Sequence, residues 1–241
     1  MNCGQTDKGE TAMKTAVTVK EISLAIKSYV ILDHISMECE AGRIYGLIGR
    51  NGSGKTMLMK AIAGFVRPDS GEIEVFGKRI GRDVDYAPDT GVIIETPGFI
   101  GYYSGYKNLR LLADINHRVG DERIREVMTL AGLDPDMKKS VRKYSLGMRQ
   151  RLGLAQAIME DPKLLILDEP FNGLDNEGVL DMRKSLLGLK EKGTTILLAS
   201  HSKEDIGVLC DSVFEMDEGR IRVPDGAAEY SIEKESKPMQ I

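Results

Sequence analysis

Short apolar runs alternate along the chain with longer segments in which apolar residues recur at helical spacing. Val17–Ile22 and Val30–Glu40 are rich in Val and Ile, which predicts strands near the N-terminus. Met57, Leu58, Ala61 and Ile62 recur at helical spacing and predict a helix over residues 55–63, with a glycine stop signal after it. Further strands are predicted at Arg43–Ile48, Glu72–Phe76, Gly91–Ile94, Leu164–Leu167, Thr195–Ala199 and Ser212–Met216.

The order of these segments predicts the fold class. From residue 163 onward, strands alternate with helices, which is typical of a mainly parallel sheet covered on both faces. Before that point come three helical patterns with no strand between them, at about Tyr106–Asn116, Glu122–Ala131 and Gly147–Met159. We therefore expect an α/β domain over residues 15–230 with an inserted helical subdomain at about 96–160, flanked by polar tails at 1–14 and 231–241.

Composition and charge narrow the function classes. No apolar run approaches the roughly 18 residues that a membrane-spanning helix needs, and the first residues contain no apolar core of a signal peptide. We therefore expect a cytoplasmic protein that reaches the membrane only through a partner. The net charge of −4 argues against nucleic-acid binding. A basic cluster at Lys138, Lys139, Arg142 and Lys143 fits either a solvated helix face or a docking surface.

The segment from Gly49 to Thr56 has the pattern G-x-x-x-x-G-K-T between a predicted strand and a predicted helix. Glycines let backbone N–H groups turn toward phosphates, and the helix N-terminus favours the same anion. Lys55 is predicted to bridge the β- and γ-phosphates, and the Thr56 hydroxyl to bind Mg²⁺. The alternative is a glycine-rich turn that matches by chance. The predicted ATP-binding residues of this loop are Gly49, Arg50, Asn51, Gly52, Ser53, Gly54, Lys55 and Thr56.

Two carboxylates end the buried-strand pattern Leu164–Leu167. Ligands of open α/β sheets bind at the carboxyl ends of the strands, so Asp168 is predicted to bind Mg²⁺ directly or through water. Glu169 is predicted to be the catalytic base that accepts a proton from the attacking water, while Lys55 neutralises charge on the γ-phosphoryl group. The alternative is a pair of carboxylates at the start of a helix.

With these motifs in place, residues 15–221 resemble the nucleotide-binding domain of ABC ATPases. The segment Tyr144-Ser145-Leu146-Gly147-Met148 resembles the family's LSGGQ signature, with Leu and Met at two of its positions. The resemblance implies a P-loop NTPase core of the RecA type with an N-terminal antiparallel β part. It also implies that Ser145 and Gly147 cap the ATP bound by a second copy, so the working form is a dimer, which we expect to be a homodimer.

Other residues gain a role through the same resemblance. Asp175, in Gly173-Leu174-Asp175, resembles the D-loop residue at the dimer interface. His201 resembles the switch histidine that contacts the γ-phosphate, so we count it with Glu169 and Lys55 as catalytic. Tyr29 resembles the aromatic residue that stacks on adenine.

One position departs from the family pattern. Where most members have a Gln that senses Mg²⁺ and contacts the permease, this sequence has Glu95. A carboxylate keeps an oxygen for the metal but adds a charge and loses the amide donor. Glu95 is thus a predicted Mg²⁺ ligand, with a solvent-facing loop carboxylate as the alternative. The run Ile94-Glu95-Thr96-Pro97-Gly98-Phe99 resembles ATPases of bacitracin- and lantibiotic-type exporters.

The resemblance therefore implies an ATP-binding and ATP-hydrolysing subunit, with ATP and Mg²⁺ as ligands and a separate membrane permease as partner. It implies export and a place on the cytoplasmic face of the plasma membrane. The first alternative is a non-transport ABC ATPase of translation or DNA repair. The second is a P-loop kinase or GTPase, but the guanine-reading motif N-K-x-D does not occur.

Overall fold

The computed structural model of the chain describes residues 15–222. Within them the strands are β1 (Thr15–Ile26), β2 (Tyr29–Glu40), β3 (Ile44–Gly49), β4 (Ser70–Val75), β5 (Lys78–Arg79), β6 (Thr90–Ile93), β7 (Leu164–Asp168), β8 (Thr195–Ala199), β9 (Ser212–Asp217) and β10 (Arg220–Arg222). The helices are α1 (Lys55–Ala63), α2 (Gly105–Asn116), α3 (Asp121–Leu130), α4 (Leu146–Ile158), α5 (Asn176–Glu191) and α6 (Lys203–Leu209), with a 3₁₀ turn at Val141–Lys143. The predicted tails, and residues 223–230 of the predicted domain, lie outside the described residues, so these domain bounds stay predictions.

A six-stranded sheet in the order β10-β9-β3-β8-β7-β6 forms the centre of the domain. The pairs from β9 to β6 are parallel, and only β10 runs antiparallel to its neighbour β9. Every residue of β7 and β8 is buried, as expected for parallel strands covered on both faces. The mainly parallel sheet is confirmed, and it brings the ends of β3, β7 and β8 to one edge.

A second, antiparallel sheet has the order β2-β1-β4-β5. The helix α1 packs between the two sheets, since Leu58 and Ile62 share a buried cluster with Val17 of β1 and Leu164 of β7. The first strand runs to Ile26, beyond the run that its apolar pattern predicts. The reason is a series of register shifts against β2, which break the period-2 alternation along the strand.

Helices α2, α3 and α4 lie between β6 and β7 in the chain, although these two strands are hydrogen-bonded neighbours in the sheet. Leu109 of α2, Val127 of α3 and Leu152 of α4 are buried in one cluster with Leu165 of β7. The helical insertion is thus confirmed as part of the fold. The insertion leaves the carboxyl end of β6 and re-enters at the amino end of the neighbouring parallel strand β7.

Candidate nucleotide site

The predicted phosphate loop connects β3 to α1. Lys55, the first residue of α1, is buried, and its Nζ donates to the carbonyl oxygens of Gly49 at 2.7 Å and Arg50 at 3.1 Å. The preceding residue, Gly54, has no side chain with which to cap the helix. The N-terminal N–H groups of α1 therefore need another acceptor, and an anion in the loop would supply it.

Two of the loop glycines lie so close to neighbouring strands that a side chain would not fit. A Cβ at Gly49 would lie 2.2 Å from the carbonyl oxygen of Met216 in β9, and one at Gly54 would lie 2.9 Å from that of Ile31 in β2. Gly54 also has a φ of 105°, a left-handed conformation that side chains disfavour. The loop is therefore held between the two sheets in one shape.

The hairpin of β9 and β10 holds the same loop from outside. Gly219 N donates to the carbonyl oxygen of Ser53 at 3.1 Å. The next residue, Arg220, binds Asp33 of β2 through Nε at 2.8 Å and Nη2 at 2.6 Å. The His34 side chain and this guanidinium hold the pKa of the Asp33 carboxyl below its usual range. The short strand β10 was not predicted from the sequence, because three residues are too few to show an alternating apolar pattern.

The structure brings two of the predicted metal ligands together. Thr56 Oγ1 donates to Asp168 Oδ2 at 2.6 Å, and Asp168 ends β7 with only 8% of its surface exposed. A hydroxyl and a carboxylate are the hard oxygen donors that Mg²⁺ accepts beside phosphate oxygens and water. Within residues 15–222, no group of three or more His, Cys, Asp and Glu side chains is placed to hold a metal. A metal here would therefore depend on phosphate oxygens for further ligands.

The predicted base and the predicted switch histidine are also neighbours. His201 Nδ1 lies 2.9 Å from Glu169 Oε1, with side chains 67% and 23% exposed respectively. Glu169 has a φ of 50°, which is rare for a residue other than glycine, and its N–H donates to the carbonyl oxygen of Ala199 in β8. Strained backbone of this kind is concentrated at functional sites.

Gln150 is a contact that the sequence pattern did not reveal. It lies buried in α4, and its Nε2 donates to the carbonyl oxygen of Glu169 at 3.2 Å. The helical layer thus supports the backbone of the predicted base. A glutamine on the buried face of α4 was a possible signal, because buried amides need a hydrogen-bond partner.

The signature-like segment lies at the start of α4, where Ser145 and Leu146 are exposed and Gly147 is buried. Ser145 caps the helix, with Oγ accepting from Met148 N at 3.1 Å. A Cβ at Gly147 would lie 2.7 Å from the carbonyl oxygen of Gly173, so this loop packs directly on the predicted D-loop. Leu146 lies over Gly173 as well, yet 52% of its surface is exposed.

Asp175 and Tyr29 are placed away from the catalytic pair. Asp175 caps α5, its Oδ1 accepting from Gly178 N at 2.9 Å. Tyr29 begins β2 with 74% of its surface exposed. Ile31, two residues further along this strand, lies against Gly54 of the phosphate loop, which puts Tyr29 roughly 7 Å along the strand from that contact. Its role as the adenine contact stays a prediction.

Glu95 contacts a side chain that the sequence did not predict. Its Oε1 lies 2.5 Å from Nζ of Lys60, in the last turn of α1. Its carboxylate therefore has a basic partner within the chain, and its predicted place as a metal ligand stays a prediction.

Residues 15–222 contain no helix that is both long and apolar enough to cross a membrane.

The match to known proteins covers most of the domain. Residues 32–172 match the family model described as ABC transporter. The chain is 42% identical over 205 residues to the uncharacterized ABC transporter ATP-binding protein YybJ of Bacillus subtilis, covering 85% of this chain and 94% of that protein.

The chain belongs to the ABC transporter ATP-binding family.

The resemblance to bacitracin- and lantibiotic-type ATPases is also confirmed. The chain is 38% identical over 211 residues to the bacitracin transport ATP-binding protein BcrA of Bacillus licheniformis, covering 87% of this chain and 69% of that protein. It is 37% identical over 199 residues to the lantibiotic transport ATP-binding protein SrtF of Streptococcus pyogenes, covering 81% of this chain and 85% of that protein.

Solved structures agree with the fold. The structure of an ATP-binding subunit of an ABC transporter superposes with a TM-score of 0.78 at 27% identity, covering 87% of this chain and 89% of that one. A dimeric ATP-binding cassette bound to ADP and Pi has the same TM-score at 19% identity, covering 86% of this chain and 97% of that one.

The chain is thus an ABC ATPase, the ATP-binding and ATP-hydrolysing subunit of an ABC transporter. The alternatives of a non-transport ABC ATPase, a kinase and a GTPase are not supported. ABC cassettes dimerise and work with membrane permeases.

Proposed function

We propose that this ABC ATPase works as a homodimer that hydrolyses Mg²⁺-bound ATP at two shared sites and drives export of an antibiotic- or peptide-like cargo. The observation that carries the proposal is the division of the predicted site. The phosphate loop, Asp168 and Glu169 are held together within one chain, whereas the loop at Ser145 is exposed and has contacts local to its own helix and the D-loop. A second copy, related by two-fold symmetry, would bring each exposed loop to the other's phosphate loop.

In each shared site, one chain holds the triphosphate. The backbone N–H groups of Gly49–Thr56 and the start of α1 bind its oxygens, and Lys55 Nζ exchanges loop carbonyls for β- and γ-phosphate oxygens. Glu169 accepts the proton of the water that attacks the γ-phosphorus, while the bond to the bridging oxygen breaks to give ADP and phosphate. His201 orients the Glu169 carboxylate and contacts the γ-phosphate.

The second chain completes the site. Its Ser145 hydroxyl and the N–H of its Gly147 cap the γ-phosphate, and its Asp175 crosses the interface. Tyr29 of the first chain stacks on the adenine, since its exposed ring extends the strand that lies against the loop.

Thr56 and Asp168 would hold Mg²⁺, with Glu95 at its edge. The ion would neutralise charge on the β- and γ-phosphates and fix their orientation. The 2.6 Å contact between Thr56 and Asp168 places both oxygen donors side by side at the carboxyl end of β7.

A cleft of about 570 Å³ between the sheet edge and the helical layer is the proposed permease contact. Phe65 lines it after α1 and Ile115 lines it on α2, where 72% of the Ile115 surface is exposed. Exposed apolar residues on both walls fit an amphipathic helix of a membrane partner at its cytoplasmic face. Replacement of Ile115 by Asp should release the subunit from membranes that carry its permease, whereas Leu180→Asp, at another exposed position on α5 outside the cleft, should not. Retention of the Ile115→Asp subunit on those membranes would contradict this contact.

Solution mass tests the shared site. With ATP present, the Glu169→Gln variant should have the mass of a dimer by light scattering, because it binds ATP without hydrolysing it. Addition of Ser145→Arg should return it to a monomer. A Glu169→Gln variant that stays monomeric at saturating ATP would contradict the proposal.

A further inference from the structure

The ion pair between Lys60 and Glu95 lies one helical turn of α1 beyond Thr56, a predicted metal ligand. The pair joins α1 to the segment that leaves β6, with Lys60 25% exposed and Glu95 66% exposed. Glu95 adopts a left-handed backbone with a φ of 61°. This conformation turns the chain sharply at the residue that carries the unusual carboxylate.

Lys60 follows Thr56 by one helical turn, so both side chains lie on the same face of α1. Long side chains on a helix tend to lean toward its N-terminus, which here is the phosphate loop. The ion pair therefore places the Glu95 carboxylate on the face of α1 that carries Thr56, whose hydroxyl contacts Asp168.

The same segment is anchored to the helical layer at its other end. A Cβ at Gly153 of α4 would lie 2.6 Å from Cγ of Pro97, so Pro97 packs directly on α4. One residue, Thr96, lies between Glu95 and Pro97. The ion pair thus attaches one end of this short segment to the phosphate-loop helix, while Pro97 attaches the other to the helix that begins with the signature-like loop.

The negative charge of Glu95 gives the ion pair a consequence for nucleotide binding. Asp168 and Glu169 already place two carboxylates next to the site where a triphosphate is proposed to bind. A third carboxylate without a counter-charge would repel the nucleotide, whereas a neutral amide at this position would need none. The pair is partly exposed and therefore weak, so it can neutralise Glu95 without locking it.

We propose that Lys60 is a positioning residue that neutralises Glu95 and thereby allows a triphosphate to bind beside three carboxylates. The proposal rests on the proposed ATP and Mg²⁺ site. It predicts that Lys60 affects nucleotide affinity through Glu95 and that the effect is largest without Mg²⁺, when no other cation offsets the carboxylate.

The test is the affinity for a fluorescent ATP analogue, titrated in EDTA and again with excess Mg²⁺. In EDTA, Lys60→Met should weaken binding about fivefold because Glu95 is then uncompensated, and Glu95→Gln should strengthen it by a similar factor because Lys60 is then uncompensated. The double variant should bind like the wild type, because both charges of the pair are then absent. With Mg²⁺, the loss in Lys60→Met should shrink below about twofold.

Controls separate this effect from others. Lys60→Arg keeps the charge and should bind like the wild type. Lys20→Met removes the exposed Lys20–Glu72 pair of the antiparallel sheet and should leave binding unchanged. Thermal unfolding of each variant checks that the fold is retained.

Three results would overturn the role of Lys60. A double variant that binds as weakly as Lys60→Met would mean that Lys60 contacts the nucleotide directly and that Glu95 has no part in its effect. No loss in Lys60→Met would reduce the pair to a surface contact. Absence of ATP binding by the wild-type chain would overturn the proposed function as well, whereas ATP binding in which the double variant does not regain wild-type affinity would overturn the role of Lys60 alone.

Discussion

The phosphate-loop side and the signature side of this ABC ATPase differ in how far each is assembled within one chain. On the phosphate-loop side, Lys55 and Asp168 are buried and tied by short hydrogen bonds to groups of the same chain. On the signature side, Ser145 and Leu146 are exposed at the start of α4. Both sides lie at a helix N-terminus, that of α1 and that of α4.

This difference indicates that the two sides have different roles in nucleotide binding. The buried groups of the phosphate-loop side contact only their own chain, so this side can bind nucleotide without a second chain. On the signature side, the exposed Ser145 lies at the start of α4, where a helix N-terminus favours an anion, and a phosphate bound by a second chain would supply one. The account therefore predicts that substitutions on the two sides have separable effects on binding and on turnover.

The largest effect is expected for Glu169→Gln on the phosphate-loop side. The amide cannot accept the proton of the attacking water, so turnover should fall ~10²-fold or more while ATP still binds. Steady-state phosphate release and ATP titration measure the two quantities. Glu191→Gln at the end of α5 is the matched control, and wild-type turnover by Glu169→Gln would remove this residue from the mechanism.

Thr56→Val tests the oxygen pair beside the loop. Valine keeps the shape of the side chain but removes the hydroxyl that contacts Asp168. The Mg²⁺ concentration for half-maximal ATPase activity should rise by about thirtyfold, in the range seen when metal-site contacts are lost. Thr129→Val on α3 serves as the control. An unchanged Mg²⁺ requirement would show that Thr56 is not a metal ligand.

Gly147→Ala should affect the signature side alone. The new methyl group would meet the carbonyl oxygen of Gly173 at 2.7 Å and displace the loop from the D-loop. ATPase activity should fall about tenfold, with ATP affinity of the single chain within about twofold of wild type. Gly188→Ala in α5, where a Cβ meets nothing within 4 Å, should leave activity intact. A loss of ATP affinity in Gly147→Ala as large as its loss of ATPase activity would show that the effects of the two sides are not separable.

The smallest effect is expected for Tyr29→Ala. Loss of a stacking ring should weaken ATP binding about fivefold, at the low end of base-stacking contributions, without loss of thermal stability because the ring is exposed. Tyr86→Ala, which removes another exposed ring, should bind ATP normally. Equal affinities in the two variants would exclude Tyr29 as the adenine contact.

The elements with strong periodic patterns were predictable from the sequence. The helix Lys55–Ala63 and the strand Thr195–Ala199 occur where the apolar spacing places them. The extension of β1 to Ile26 was not predictable, because bulges interrupt the alternation that identifies a strand. Strand β10, with three residues, is too short to have a period.

The candidate site was predictable where a motif fixes both residue type and backbone shape. The loop from Gly49 to Thr56 is such a case. The contacts of Gln150 with Glu169 and of Lys60 with Glu95 join residues 19 and 35 positions apart. Sequence spacing does not encode them, since they exist only after the helical layer and α1 have packed on the sheet.

The central claim is that one complete site needs two chains, and mixing two inactive variants tests it directly. Lys55→Ala removes phosphate contacts on one side, and Ser145→Arg blocks the cap on the other. Each variant alone should be inactive, whereas a heterodimer of the two has one intact shared site and should regain part of the ATPase activity. Confirmed heterodimers that remain as inactive as the separate variants would contradict the shared site.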